Sequence, residues 1–506
     1  MNDTMKKDAR EATAEALEES ARAELAKLAE IRSSGREMGP RDRMALPVQG
    51  MPCQDPGERG GNMREVALGY GESQARIEAE RCLNCKNAPC VSGCPVRVDI
   101  PGFIMKVREG DYAGAARVIK RTNLLPSICG RVCPQEVQCQ SQCTLGKSLK
   151  SVERAVQIGR LERWVADRER ACGACDIPDI GRATGKKVAI VGSGPAGLTC
   201  AIDVRRQGHD VVVYEAFHKA GGVMSYGIPE FRLPKALVAM EAGSLAEMGV
   251  RYELNFLVGR TRKLHALIAE DGFDAVFVGA GAGLPKFMEM PGENLVGVFS
   301  ANEYLTRANL MKAYDRERAA TPLYPSRRVA VLGGGNVAMD SARMALRLGA
   351  EEVRILYRRT REEMPARAEE VEHAMEEGVI FDFLASPSRV LGSTDGKCEA
   401  LEVVSYALGE PDASGRRSPV AIKGSERVVP FDTVIVAIGN ESNPLLARTT
   451  PDLKVDRKGH ILVDEKQMTS IDRVYAGGDI VLGAATVILA MGEGRRAAAA
   501  INELLG

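Results

Sequence analysis

The chain has 506 residues, of which 45% are hydrophobic and 27% charged, the balance of a globular protein; that length implies roughly two to four domains. The formal net charge is zero, which excludes the bulk basicity of a nucleic-acid binder or of a protein held to an anionic membrane. No apolar run is long enough to span a bilayer and no signal-peptide core precedes the chain, so a cytoplasmic location is expected.

Residues 1–50 read as an extension. Glu11 to Ile31 are strong helix formers, with Leu17, Ala21, Leu25 and Leu28 forming a narrow apolar stripe. That stripe fits a helix packed on its own subunit, or a docking helix for a partner. Residues 51–170 read as a helical module. Gln74 to Arg81 leads into the first of two cysteine runs, short helices follow over Pro101–Arg108 and Tyr112–Lys120, and Val152–Asp167 forms another. Residues 171–185 read as a linker. From Lys187 the pattern changes to strand–glycine loop–helix–strand. KVAIVG runs into Gly192-Ser-Gly-Pro-Ala-Gly197, a helix reaches Gln207, and Val211 to Tyr214 forms the next strand, ending at Glu215. A second such unit starts at Arg328, with Gly333, Gly335 and Ala338 at the fingerprint positions. Two similar strands, Asp274 to Ala282 and Asp432 to Gly439, bracket it like an exit and a return. The expected organisation is therefore an interrupted first nucleotide domain, over residues 186–322 and 441–506, with a second one over 323–440 inserted between.

Eight of the thirteen cysteines fall between Arg81 and Cys143. Cys82, Cys85, Cys90 and Cys94 have the spacing C-x2-C-x4-C-x3-C-P, and Cys133, Cys139 and Cys143 the spacing C-x5-C-x3-C. Thiolates are soft donors suited to iron–sulfur clusters or zinc, and in a reducing compartment disulfides are the weaker reading. A cysteine followed by proline at the end of such a run commonly serves a second cluster. Cys129 breaks the regular spacing. Cys172 and Cys175 form a C-x2-C in the linker without a nicotinamide-domain context, while Cys53, Cys200 and Cys398 are isolated.

In the first fingerprint Gly192 permits the tight turn, Gly194 lets backbone approach a pyrophosphate, and Gly197 packs helix on strand. The helix N-terminus at Pro195 and Ala196 would then receive the phosphates, and Glu215 is placed for a ribose hydroxyl. The second fingerprint, Gly333 to Ala338 with Asn336 and Val337 opening its helix, has no acid at the end of its second strand. Leu356 stands there, followed by Tyr357, Arg358 and Arg359. A missing carboxylate with paired arginines favours a 2′-phosphate, hence NADP(H) over NAD(H); the alternative is a solvated charged face.

RCLNCKNAPCVSGCP, ICGRVCPQEVQCQSQC, VGSGPAGL, GGVMSYGIPEFRLPK, LGGGNVAMDSAR, YRRTREEMPA and AGGDIVLGAATVILAMGEGRRAA resemble the small (β) subunit of NADPH-dependent glutamate synthase. They are equally similar to its relatives, the large subunit of electron-bifurcating NADH-dependent ferredoxin:NADP oxidoreductase and the N-terminal half of dihydropyrimidine dehydrogenase. The resemblance spans roughly residues 51–506. It implies an α/β chain in which an all-α module with two 4Fe-4S clusters precedes two nested Rossmann-type domains. Cys82, Cys85, Cys90 and Cys143 would hold one cluster; Cys94, Cys133, Cys139 and a non-cysteine ligand, matched here to Glu162, the other; Cys129 would be left out. The resemblance places FAD in the Gly192 domain. Gly221, Gly222, Met224 and the Ile228–Leu233 stretch with Arg232 would line the flavin, with Gly439, Gly478, Asp479 and Thr486 also at the cofactors and Asp479 on the ribityl–phosphate part. It places NADP(H) in the Gly333 domain.

The implied activity is hydride exchange between NADP(H) and FAD, with single electrons passing through the clusters to or from a second redox subunit. That partner would be the glutamate synthase large subunit, or, in a transhydrogenase whose FAD bifurcates electrons, an NADH- or ferredoxin-linked flavin or iron–sulfur subunit, with ferredoxin itself as a further partner. A reading from another class is a zinc-containing scaffold subunit with an inert nucleotide.

Overall fold

The computed structural model describes residues 2–173, 177–412 and 415–506, and side chains from residue 14 onward. Cys175 lies outside them; Cys172 is exposed.

The first helix, Asn2–Ser33, lies on the module's Glu72–Glu80 helix. Ala21 and Leu28 bury against Ile77, with Leu25 alongside. The Glu18 carboxylate accepts from the Ser73 and Gln74 nitrogens at 2.8 and 3.2 Å, capping the second helix from outside with a charge that suits its dipole. Arg32, Arg43 and Arg108 gather on Glu80 at 2.5, 2.9 and 3.3 Å. The apolar stripe of the extension is therefore covered by its own chain.

Further helices of the module include Ile100–Glu109, Tyr112–Lys120, Pro126–Val132 and Ile158–Ala171. Asp99 and Asp111 open the first two by accepting from the Gly102 and Gly114 nitrogens at 3.0 and 2.8 Å.

β1 (Lys187–Val191), β2 (Asp210–Tyr214), β3 (Arg251–Glu253) and β4 (Ala275–Val278) then form a parallel sheet. The apolar runs of β1, β2 and β4 suit strands buried on both faces, while β3 lies at the sheet edge. β5 (Leu284–Pro285) leaves this layer, and a second parallel sheet takes up β6 (Val298–Ser300), β7 (Arg328–Leu332), β8 (Glu352–Tyr357) and β9 (Ile380–Phe383). An antiparallel arm follows: β10 (Ala385–Gly392), β11 (Cys398–Pro411), β12 (Arg417–Ala421) and β13 (Arg427–Pro430). β14 (Thr433–Val436) enters the second sheet between β6 and β7, β15 (Asn440–Glu441) pairs antiparallel with β5, and β16 (Val474–Ala476) joins β4 in the first sheet. The first sheet has the order β16-β4-β1-β2-β3 and the second β6-β14-β7-β8-β9.

Pairing of β6 with β14 brings residues from Val298 into the second sheet, earlier than the expected boundary at 323. A three-residue strand carries too little pattern to register in sequence. The turns after β1 and β7 need glycine for the same reason. Gly192 and Gly333 have φ of +98° and +138°, and a Cβ would stand 2.5 Å from the Gly279 carbonyl or 2.3 Å from that of Ala437.

One buried apolar cluster runs from the module, including Cys82, Cys129 and Cys143, into Val188, Leu198 and Met491 of the first nucleotide domain. The second nucleotide domain centres on a further core, into which Val66 of the module and Phe231 of the first nucleotide domain reach, and it also meets the rest through charge. Arg59 of the module pairs with Glu376, and with Glu377 at 3.0 Å. Arg343 and Arg347, both fully buried, pair with Glu377 at 2.7 Å each and stack their guanidinium groups on Phe231 at 4.8 and 3.7 Å. Among the described residues no helix is long and apolar enough to cross a membrane.

Burial pushes the Glu377 carboxyl up, but Arg343 and Arg347 together outweigh it and hold it down to about 2. Its stabilising contribution is therefore complete above the ordinary value of 4.5 and is lost as pH falls from there towards about 2. Glu377→Gln leaves buried arginines short of a counter-charge and is expected to cost about 3–5 kcal/mol at neutral pH. Urea midpoints of both proteins across pH check this: the gap should close as the solution is acidified below the ordinary carboxylate range.

Candidate functional site

The module folds its two cysteine runs around two neighbouring cavities. Cys82 follows directly on the Glu72–Glu80 helix. The turn there is held by buried Arg81, which donates to Glu78 at 2.5 Å and to the carbonyls of Ala155 and Arg154 at 3.0 and 2.6 Å. Cys82, Cys85, Cys90 and the distant Cys143 line the first cavity, with Ile104, Leu145 and Val156 among its apolar walls. Cys94, Cys133, Cys139 and Glu162 line the second, together with Cys129, Phe103 and Ile488. Ile100 and Ile158 line both, so the cavities share a wall.

These thiols are hard to ionise unaided: burial pushes Cys90 up to about 12 and Cys94 up to about 11. They are poor nucleophiles for thiol–disulfide chemistry, whereas a bound metal deprotonates its thiols outright. Among the described residues no three Cys, His, Asp or Glu donors gather closely enough to hold one metal ion. Four thiols around one apolar cavity fit the ligand set of a 4Fe-4S cluster. Cys129 is brought to the second cavity although its spacing had set it apart. Burial pushes Glu162 up to about 7, less the effect of the Asn123 amide that donates to it.

The second cavity abuts the C-terminal helix, Val487–Leu505. Thr486 caps that helix by accepting from the Leu489 nitrogen at 3.3 Å, and also accepts from Gln138 at 3.4 Å. Cys129 Sγ lies 3.5 Å from Met491 Sδ.

The same helix borders the first nucleotide loop. Gly478 packs on Ala196, and Gly222 lies against Gly194, where a Cβ on it would stand 2.7 Å from the Gly194 Cα. Gly192, Gly194, Pro195, Ala196, Gly197, Gly221, Gly222, Gly478 and Asp479 are thus drawn together around the C-terminal ends of β1 and β16, where open α/β sheets bind their ligands. Glu215 has one oxygen occupied by the Ser193 nitrogen and hydroxyl, at 3.0 and 2.5 Å, and the other by the Phe217 nitrogen at 2.9 Å. It braces the glycine loop. Burial raises Asp479 to about 6. Met224 is fully buried.

Two residues here escaped the sequence reading. Tyr226 is half-buried close to Asp479 and Glu215, and desolvation raises its phenol to about 12. Lys235 donates to the carbonyls of Met224, Ile228 and Leu233 at 3.0, 2.5 and 2.7 Å, stapling the whole 224–233 loop. Neither has a spacing signature; a lysine following Pro234 carries no motif. Arg232 faces away from this set, paired with Asp340 at 2.7 Å and Glu370 at 3.0 Å of the second domain. The expectation that it lines the flavin is corrected to a bridge between domains: the two carboxylates claim its guanidinium.

In the second loop Ala338 is buried, Val337 is partly exposed, and Asn336 accepts from the Arg367 nitrogen at 2.9 Å. Tyr357 covers Gly334. The two arginines part. Arg359 is buried and donates to Asp412 and to the Arg417 carbonyl, both at 2.7 Å, which fastens the antiparallel arm. Arg358 is exposed, with no ion pair among the described residues. The paired-arginine expectation is therefore corrected to one available guanidinium. Gly439 accepts from the Lys286 nitrogen at 3.1 Å, at the crossing between domains rather than in either loop. Arg367, also missed, reaches Glu136 at 2.9 Å in the Cys133–Cys139 loop.

Residues 59–174 match the family described as dihydropyrimidine dehydrogenase domain II, 4Fe-4S cluster, and residues 186–502 the pyridine nucleotide-disulphide oxidoreductases. The NADPH glutamate synthase small chain of Halomonas elongata is 39% identical over 466 residues, covering 89% of this chain and 96% of that one. The Escherichia coli small chain is 38% identical, covering 87% and 93%. The NADPH–Fe(3+) oxidoreductase subunit beta of Geobacter sulfurreducens is 37% identical, covering 84% of this chain and 65% of that one. Among solved structures, FprA from Mycobacterium tuberculosis in complex with NADPH superposes with a TM-score of 0.53 at 19% identity, over 64% of this chain and 85% of that one, which speaks to the fold alone. The chain belongs to the family of the NADPH glutamate synthase small chain, iron–sulfur flavoprotein oxidoreductases with 4Fe-4S, FAD and NADP(H) sites in one polypeptide.

Proposed function

We propose that this protein is the electron-input subunit of an NADPH-dependent glutamate synthase, handing electrons from NADPH to a large partner subunit. The observation that carries the reading is the contact of the second thiol cavity with the helix that borders the first nucleotide loop, through Ile488, Met491 and Thr486. Bound FAD would take a hydride from NADPH, and the two clusters would carry the electrons onward singly.

The protein's own residues hold and insulate. Cys82, Cys85, Cys90 and Cys143 would ligate the outer cluster, and Cys94, Cys133, Cys139 and Glu162 the inner one. Ile100 and Ile158 keep water from between them. The Gly192 loop, braced by Glu215, would take the FAD pyrophosphate at the helix N-terminus. Lys235 holds the 224–233 loop in shape, and Arg358 would meet the NADPH 2′-phosphate. Asn84, Lys86 and Asn87, in the loop of the outer cavity, are exposed, which suits exit to a partner on that side.

In length the chain stands nearer to the glutamate synthase small chains than to the NADPH–Fe(3+) oxidoreductase subunit. The chain covers 96% and 93% of two small chains, but 65% of the NADPH–Fe(3+) oxidoreductase subunit.

Anaerobically purified protein is expected to carry about eight irons with equal acid-labile sulfide, and to copurify with a subunit bearing glutaminase and FMN domains. Zinc in place of iron would end the redox reading; an NADH-oxidising or ferredoxin-linked partner would end the glutamate synthase one. Arg358→Ala should raise the KM for NADPH about tenfold, roughly one charged hydrogen bond, and leave that for NADH nearly unchanged. Arg359→Ala should instead loosen the antiparallel arm, seen as a lowered melting temperature.

A further inference from the structure

The second cavity offers five donors where a 4Fe-4S cluster needs four: Cys94, Cys129, Cys133, Cys139 and Glu162. Cys129 and Glu162 sit on two helices, Pro126–Val132 and Ile158–Ala171. These helices touch because residue 130 is glycine: a Cβ there would stand 2.6 Å from the Arg163 nitrogen. That contact brings the thiol and the carboxylate to the same rim. Between them lies Asn123, fully buried.

The orientation of the Asn123 amide is settled by its neighbours. Oδ1 accepts from the Leu125 backbone nitrogen at 2.9 Å, so Nδ2 is the end that donates to Glu162 Oε1 at 2.7 Å. One carboxylate oxygen is thereby tied, and the carboxylate is held at the cavity by the other end of a residue anchored to backbone. The same Oδ1 lies 3.7 Å from Cys129 Sγ, in the direction of a thiol donating to it, and Met491 Sδ closes on that sulfur from the flavin side at 3.5 Å.

We propose that Asn123 chooses the fourth ligand of the second cluster, presenting Glu162 and holding the Cys129 thiol back as a reserve. This rests on the reading that the cavity holds a cluster ligated by Glu162. When Glu162 is released, the iron bond to its oxygen is replaced by one to the Cys129 sulfur, and the thiol proton passes to the departing carboxylate. No electron is transferred in the exchange. Asn123 is a positioning residue, touching neither iron nor flavin. A thiolate donates more electron density than a carboxylate, so the exchange lowers the reduction potential of that cluster.

Iron content, EPR spectra of the reduced protein and EPR-monitored midpoint potentials of the full-length flavoprotein test this. Cys129→Ser should match the wild type in all three. Glu162→Ala should keep about eight irons, with a changed spectrum and a lower midpoint for one cluster. Glu162→Ala combined with Cys129→Ser should fall to about four irons. Asn123→Ala should show part of the Glu162→Ala spectrum, and lose it when Cys129→Ser is added. Glu162→Ala alone falling to about four irons would overturn the reserve role, as would an Asn123→Ala protein with wild-type spectrum and midpoint. If Glu162→Ala leaves iron, spectrum and midpoint unaltered even with Cys129→Ser, the carboxylate is no ligand and the reading beneath the proposal falls instead. Bound flavin reports folding in each variant. Should Asn123→Ala fail to fold, the Glu162 and Cys129 variants decide, since they leave Asn123 in place.

Discussion

The continuous apolar cluster joining the cysteine module to the first nucleotide domain is the constraint on which the rest depends. A polypeptide can hold two thiol cavities and a dinucleotide loop on separate domains, but their separation then varies with every domain motion. Here Cys129 and Met491 belong to one buried cluster, with Leu198 and Val188 behind them. Packed cores deform little, so the distance from the second cavity to the flavin-type loop is a property of close packing. Ile100 and Ile158 do the same between the two cavities.

The second nucleotide domain is attached by a different kind of force. Its contacts with the module and the first domain include a set of guanidinium–carboxylate pairs: Arg59 with Glu377, Arg232 with Asp340, Arg367 with Glu136. Such pairs are directional and leave little net stability once desolvation is charged against them. They specify one orientation, while Val66 and Phe231 carry apolar contact across the same boundary. Phe231 adds an aromatic face under two of the arginines, so the loop next to the flavin-type site is itself part of this interface.

How far these features can be read from sequence follows from their range. The thiol spacings and glycine loops are local, and their chemistry shows in a window of a dozen residues. Glu162 had to be matched by family likeness, because nothing within the Ile158–Ala171 helix marks it; its partner Asn123 is 39 positions away. Arg359 looked like a cofactor ligand because it stands beside Arg358 just after the second strand of that fingerprint. Its true partner, Asp412, lies 53 positions on, in an arm whose strands carry weak alternation. The N-terminal stripe told that a helix face is covered, and could not tell that Ile77 covers it. Arg232 was read with the loop it belongs to, while its charge is answered by helices more than 100 residues later.

The short ribbon of β5 and β15 has a consequence for how such a chain can change over time. The strand that leaves the first sheet and the strand that returns to it lie side by side, with Leu284 opposite Glu441 and Pro285 opposite Asn440. Everything between them enters and leaves through one doorway two residues wide. A unit attached in this way can be lost, exchanged or enlarged without disturbing the register of the sheet it interrupts, since the host sees the same two ends at the same spacing. The second nucleotide domain is thus a cassette, and the thiol module with the first nucleotide domain is the chassis that receives it.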